Sequence, residues 1–403
     1  FTPDGQGKLP HRLRRGQSRT NGCCIYKGDK LEYRMPKHIL IVADGRSPTT
    51  LSWIKNIQTL DYSVSLLSTF PCDPPSDINQ LNILPVALSR FSSAGRPFSA
   101  KKTRNPRKNW VHRFTSLLQK LRYILGPISL LFYSQKYRQI RESIGPDLVH
   151  ALRIPFEGML ARLTPIGTPL AVATWGNDLT LHVNGSFLMR KLTKRCLTRA
   201  DGLTSDTLRD IRLAHSWGLS KTAATLTVPG SGGLNLRDFQ DAEGFDAEKY
   251  DLPSTKHWVV NPRGMRPGSV HQEVFIEAIP SVLEVRPDTI FICPSLAGIQ
   301  QIEELIKKHK LKGHVYLLPK LSQSHLWSLF MQASIFVSPS SHDGIPNSLL
   351  EAMACGCFPV AGDIESMREW IIDGKNGLLV NPKNPIELAN AIIKALEQPV
   401  LLK

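Results

Sequence analysis

The sequence predicts an α/β protein made of two Rossmann-like, doubly wound domains that face each other across a cleft. Three observations carry this expectation. Short apolar runs of strand length alternate with helical stretches, the rhythm of a mostly parallel sheet covered on both faces. The rhythm stops once, in a turn-rich and polar stretch after Val228, and then starts again. A length of 403 residues with 41% hydrophobic and 21% charged content suffices for two ordinary cores and is unlike a disordered chain.

Residues 1–34 hold turn formers and basic side chains without apolar periodicity or the continuous apolar region of a secretory signal. They read as an unstructured leader or an expression remnant, with Met35 as the start; a basic arm for nucleic acid is the alternative. The first strand is the apolar run 39–43, followed by the turn Asp44-Gly45-Arg46-Ser47 and a helix through Trp53 and Ile57. Strands follow at 62–67, 147–152 and 169–174, with a helix at 156–163, and then short strands at 202–205 and 225–228. The apolar run 123–133 is broken by Gly126-Pro127, and nothing reaches the roughly 18 residues of a membrane span, so none is expected.

Pro229-Gly230-Ser231-Gly232-Gly233 and the polar stretch 238–253 mark the junction, which gives a first domain at 35–240, a linker at 241–256 and a second domain at 257–403. The second series of strands runs 257–261, 289–293, 314–318, 335–338, 358–361 and 378–380. Ligands of such sheets sit at the carboxyl ends of the strands, here in the cleft.

Fifty Lys and Arg against 34 Asp and Glu give a formal charge of +16, which attracts polyanions. Seven scattered cysteines without zinc-type spacing fit a reduced, cytoplasmic setting. From Ile78 to Arg141 there is no Asp or Glu but there are thirteen basic residues, from Arg90 through Lys101, Lys102, Arg104, Arg107 and Lys108 to Arg141. Beside them Trp110, Phe114, Leu117, Leu118, Leu121 and Ile124 form an apolar stripe at helical spacing. Residues 90–141 thus predict docking on an anionic membrane surface, at roughly 1 kcal/mol per basic residue near it, unless the stripe packs on the sheet. Nucleic acid is not expected as a partner, because aromatic residues for base stacking are sparse.

The strongest chemical signal runs from Ser338 to Gly356, from strand end through a loop into a helix. Asp343-Gly344 lies in the loop, Asn347 or Ser348 can cap the helix, and Glu351 follows Asp343 by eight residues. The helix N-terminus can bind a phosphate, a carboxylate one turn further can accept hydrogen bonds from a ribose diol, and the loop carboxylate can reach sugar hydroxyls. Together these parts fit a nucleotide-sugar. On spacing alone, Asp343 reads equally well as a turn former and Glu351 as a solvated helix residue.

The segment resembles the retaining GT-B glycosyltransferases of family 4, whose second domain carries an acidic residue, seven intervening residues and Glu before Ala-Met-Ala-x-Gly. Here these are Asp343, Glu351 and Ala352-Met353-Ala354-Cys355-Gly356, followed by Phe358-Pro359-Val360, Gly362-Asp363-Ile364, Ser366-Met367-Arg368-Glu369-Trp370 and Asp373-Gly374-Lys375-Asn376-Gly377. Residues 43–53 resemble the family's first loop, which faces acceptor and donor phosphates and here supplies Asp44, Gly45 and Ser47. Trp175-Gly176-Asn177-Asp178 resembles a Trp-Gly-Ser-Asp element. It offers Asp178 for the sugar or the acceptor hydroxyl, or as a plain helix cap.

The resemblance implies an Arg and a Lys after the first strand of the second domain to neutralise the diphosphate. Arg263 matches the Arg, the Lys is absent, and Arg266 or Lys320 is the substitute, with an idle surface role for Arg266 as the alternative. It further implies transfer from a nucleotide-sugar to a saccharide or lipid-linked acceptor with retention, in cell-envelope polysaccharide synthesis on the inner face of the plasma membrane. Catalysis would rest on Asp343, Arg263 and Asp178, with Glu351, Gly344, Asn347 and Ser348 at the donor. No Asp-x-Asp occurs, so neither a metal nor another cofactor is expected. Family members usually continue with a helix returning to the first domain, which implies a C-terminus that is incomplete here. A nucleotide-sugar epimerase of the same fold and a non-catalytic nucleotide-sugar-binding protein are the alternatives.

Overall fold

The computed structural model describes residues 24–27, 30–33, 38–60, 62–87, 89, 115–230, 232–254 and 257–397, in two compact units that part at Met35. In the first unit β1 (Cys24–Lys27) pairs antiparallel with β2 (Lys30–Tyr33), with Lys27 opposite Lys30. This corrects the expectation that residues 1–34 carry no regular element. The sequence signal passed over is the Gly-Asp pair between two short runs.

The second unit holds two parallel sheets. The first has seven strands: β3 (His38–Ala43), β4 (Ser63–Ser68), β5 (Gln80–Ile83), β6 (Leu148–Ala151), β7 (Leu170–Thr174), β8 (Gly202–Ser205) and β9 (Ala224–Thr227), in the order β5-β4-β3-β6-β7-β8-β9. The second has six: β10 (His257–Val260), β11 (Thr289–Pro294), β12 (Val315–Leu318), β13 (Ile335–Ser338), β14 (Phe358–Gly362) and β15 (Leu378–Val380), in the order β12-β11-β10-β13-β14-β15. Each sheet reverses direction beside its first strand, so each has a switch point there.

Both faces of each sheet are covered, which is why the strands read as continuous apolar runs. In β3, Leu40 and Val42 enter the core beneath α2 (Thr115–Ile144). Ile39, Ile41 and Ala43 face α1 (Pro48–Gln58), which opens with Pro48 where no N–H is needed. The first lobe continues with α3 (Met159–Ala161), α4 (Phe187–Arg199) and α5 (Leu208–Ser216), the last two capped by the Ser186 and Thr207 hydroxyls. Beyond β9 come α6 (Arg237–Gln240), α7 (Gln272–Val285), α8 (Gln300–Lys308), α9 (Gln323–Gln332), α10 (Asn347–Ala354), α11 (Glu365–Arg368) and α12 (Pro385–Glu397). In β10, Val259 packs in the core under α7 and α12, while Trp258 and Val260 face that under α9 and α10.

Helix α2 runs through Gly126-Pro127, which breaks the apolar run 123–133 without breaking the helix. Pro127 cannot donate to the Tyr123 carbonyl, and the Ser186 hydroxyl does so instead at 2.8 Å. Gly126 sits against the Phe156 ring, where a Cβ would come within 2.3 Å. The helix expected at 156–163 is a π-type turn, Ile154–Gly158, with Phe156 at φ 68°, followed by the single turn α3. Of the stripe expected at 110–124, Leu121 and Ile124 are exposed rather than packed on the sheet. Trp110, Phe114 and the basic residues from Arg90 to Arg113 lie outside the described residues, and only the backbone is described at Leu117, Leu118 and Lys120.

Candidate active site

The carboxyl ends of both sheets open onto one cavity of about 630 Å³. The first lobe contributes Ser47 after β3, Arg153 after β6, Trp175 to Asn177 after β7, and Asp206 after β8. The second contributes Pro262 to Gly264 and Arg266 after β10, Ser295 after β11, Lys320 after β12, Asp343, and Asn347 and Ser348 at the start of α10.

Arg263 is buried and pairs with Asp343, while its Nη1 reaches the Ser348 hydroxyl at 3.5 Å. Behind it, the Arg263 N–H donates to Asn261 Oδ1 at 3.1 Å, and Asn261 is held by Gln272 at 2.8 Å. Arg263 Nε has no hydrogen-bond partner among the described residues. Arg266 has no ion pair among them either, and the adjacent Arg263 charge, with burial, pushes its pKa down to about 10. With Arg153 and Lys320, four cations line a cavity whose lining carboxylates are Asp206 and Asp343. Such a surplus, with spare donors, suits a polyanion such as a diphosphate.

The helix cap departs from expectation. The N-cap of α10 is Pro346, which has no side-chain acceptor, so neither Asn347 nor Ser348 caps the helix and both line the cavity instead. Glu351 lies one turn further in, buried, with Oε1 accepting from Gln323 Nε2 at 2.7 Å. Burial raises its pKa.

Other expected residues stand back from the cavity. Asp178 is buried: Oδ1 accepts from Arg153 Nε at 2.9 Å, and Oδ2 from the N–H groups of Trp175 at 3.1 Å and Ile154 at 3.3 Å. It therefore aims Arg153 rather than facing a ligand itself. Asp44 holds Arg46, which stacks on Phe70, and Gly45 packs against Ser68 and Cys72; of that loop's three expected residues, Ser47 lines the cavity.

The two lobes meet beside the cavity. Arg209 of α5 donates to the Gly176 carbonyl at 3.0 Å and the Asp343 carbonyl at 2.9 Å, bridging the lobes. The Glu369 carboxylate accepts from the N–H groups of Leu208 and Arg209 at 2.8 and 2.9 Å, so the second lobe caps a helix of the first. Gly344 has no cavity face; its backbone lies on Gly176 and Asp206. Asp206 Oδ2 accepts from the Ile345 N–H at 2.9 Å, while its buried Oδ1 has no partner among the described residues. Burial, with the Asp210 charge alongside, pushes its pKa up to about 7.

Two family descriptions match in tandem: "Glycosyl transferase 4-like" over residues 38–207 and "Glycosyl transferases group 1" over residues 264–403, together about three quarters of the chain. The chain belongs to the group 1 glycosyl transferases. Its fold is GT-B. Sucrose-phosphate synthase of Thermosynechococcus elongatus superposes with a TM-score of 0.63 at 17% identity, covering 91% of each chain. HepE of Anabaena, solved with UDP-glucose, does so at 0.60 and 15%, again over 91% of each.

Among curated relatives, a D-inositol 3-phosphate glycosyltransferase of Paenarthrobacter aurescens is 29% identical over 36% of this chain and 40% of its own length. The GDP-mannose:cellobiosyl-diphosphopolyprenol alpha-mannosyltransferase of Xanthomonas campestris is 26% identical over 62% of this chain and 64% of its own. The match therefore spans less than two thirds of these relatives.

Within this group 1 chain, the sequence reading passed over Arg153, Asp206 and Arg209. Each directly follows or soon follows a first-lobe strand, and position at a strand's carboxyl end was the signal available.

Proposed function

We propose that the protein transfers a sugar from a nucleotide-sugar to a saccharide or lipid-linked acceptor with retention of anomeric configuration and without a metal ion. One observation carries this reading: Arg153, Arg263, Arg266 and Lys320 converge on the inter-lobe cavity beside the N-terminus of α10, which has no side-chain cap. Breaking the sugar–phosphate bond concentrates negative charge on the leaving diphosphate, and fixed cations and helix N–H groups stabilise that charge most where it grows. Asp343 orients Arg263 and, beside it, the transferred sugar; Glu351, released from Gln323, takes the ribose. A donor phosphate oxygen receives the acceptor proton on the same face, so no enzymic base is required. The cellobiosyl-diphosphopolyprenol in one relative's name supports a lipid-linked saccharide acceptor, and the inositol phosphate in the other's points to a phosphorylated polyol.

A calorimetric screen of UDP-, GDP- and ADP-sugars with EDTA present tests this, followed by transfer assays with the anomeric product read by NMR. Glu351→Ala should weaken nucleotide binding by about 1.5–3 kcal/mol per hydrogen bond lost, and Arg263→Ala should slow transfer more than it weakens binding. Arg266→Ala and Lys320→Ala in parallel identify the second phosphate cation. Binding without transfer would leave a nucleotide-sugar-binding protein, isomerised donor an epimerase, and wild-type rates in all the cation variants a phosphate site elsewhere.

A further inference from the structure

Helix α2 has two apolar faces and uses one of them. Tyr123, Leu130 and Tyr137 point into the first lobe and are buried. On the opposite side Leu121, Ile124, Leu125, Ile128, Leu131 and Phe132 fall at helical spacing on one stripe, with exposures from 37% at Leu125 to 80% at Phe132. Six large apolar side chains over three turns form a contiguous patch of the kind that marks an interaction surface, whereas a scattered exposed leucine would mean nothing.

Charge says what covers it. Lys136 and Arg138 are exposed one turn beyond Phe132, and helical spacing puts them on opposite flanks of the stripe. The chain from Ile78 to Arg141, which includes the whole stripe, carries thirteen basic residues and no acidic one. A second copy docked on this face would set like charges against each other. A lipid surface takes the apolar side chains into its acyl boundary and meets the flanking cations with anionic headgroups. We propose that α2 lies on an anionic bilayer surface with this stripe inserted. The cavity residues take no part in the contact, so the proposal stands apart from the transfer reading.

Flotation of the full chain with vesicles tests it. The protein should float with vesicles half phosphatidylcholine and half phosphatidylglycerol at low salt, not with phosphatidylcholine alone, and should be released as salt screens the headgroups. Leu131→Ser with Phe132→Ser should reduce binding at least tenfold, and Lys136→Gln with Arg138→Gln by about fivefold per charge, both with unchanged circular dichroism and unfolding midpoint. Equal binding to neutral vesicles, or undiminished binding by the serine variant, would overturn the proposal. So would a failure to bind at low salt, whatever covers the stripe instead. In that case, a concentration-dependent dimer lost in the serine variant would assign it to a second copy, and protection without dimerisation to residues 90–114 of the same chain.

Discussion

Asp206 is the residue whose chemistry depends most on where the fold puts it. The unfolded chain releases its proton near 3.8, while burial and Asp210 hold the folded value at about 7. The folded state thus keeps a proton that the unfolded state gives up. Its contribution is full below about 4, falls as pH rises towards 7 and is flat above, with an upper bound of about 4 kcal/mol. Asp206→Asn keeps an acceptor for the Ile345 N–H and has no charge to desolvate. Its unfolding midpoint should exceed the wild type's by a few degrees at pH 8, by less at pH 5, and match it at or below about pH 4. A gap of the same size at all three pH values would mean that the carboxyl is ionised throughout. Nothing in the sequence around Ser205-Asp206 announces this, because the effect comes first from burial and then from Asp210 and, in the other lobe, Asp343, while the Ile345 N–H opposes it. Arg263 and Asp343 were legible because they sit in one motif-bearing loop each; their pairing across 80 residues was not.

At the level of elements, a strand was legible wherever it carried an apolar run, at the sheet edges β9, β12 and β15 as in the interior. Strands β8, β13 and β15 fall on the expected residues, since a short apolar run between turn formers has few other readings. Strand β5 was missed: it is an outer strand with no buried side chain, so it carries no apolar run. How helix α2 continues through Gly126-Pro127 was not legible, because the Tyr123 carbonyl is satisfied by Ser186, in another element. Helix α5 shows the same dependence at its N-terminus. Its own Thr207 satisfies the Asp210 N–H, but Leu208 and Arg209 rely on Glu369. Glu369→Ala should lower stability by about 1–2 kcal/mol and make the 228–256 junction more susceptible to protease, with Glu369→Gln between the two. Identical digestion of Glu369→Ala and wild type would mean that the cap adds nothing to the seam.

For the whole molecule, the close approach of Gly176 and Gly344 sets how far the lobes can shut. A Cβ on Gly176 would lie 1.5 Å from the Gly344 nitrogen, and backbone cannot step aside as a side chain would. Gly176→Ala should therefore leave both lobes folded by circular dichroism, enlarge the radius of gyration in solution scattering, and cut transfer by about 10²-fold through misplaced cations. Unaltered scattering and rate would show that the seam is not the closed stop. The two-domain plan was legible from the rhythm of the strands; the seam was not, since its contacts join residues more than a hundred positions apart. That separation also has a clock attached. Glu369 lies 161 residues beyond Leu208, and at about 5–20 residues per second a ribosome takes on the order of 10–30 s to make them. Through that interval the first lobe has its sheet but α5 begins with bare N–H groups, and Arg209 lacks the Asp343 carbonyl. The nascent first lobe would be finished by its own C-terminal neighbour, and a chaperone that recognises unfinished helix ends would have a window in which to act.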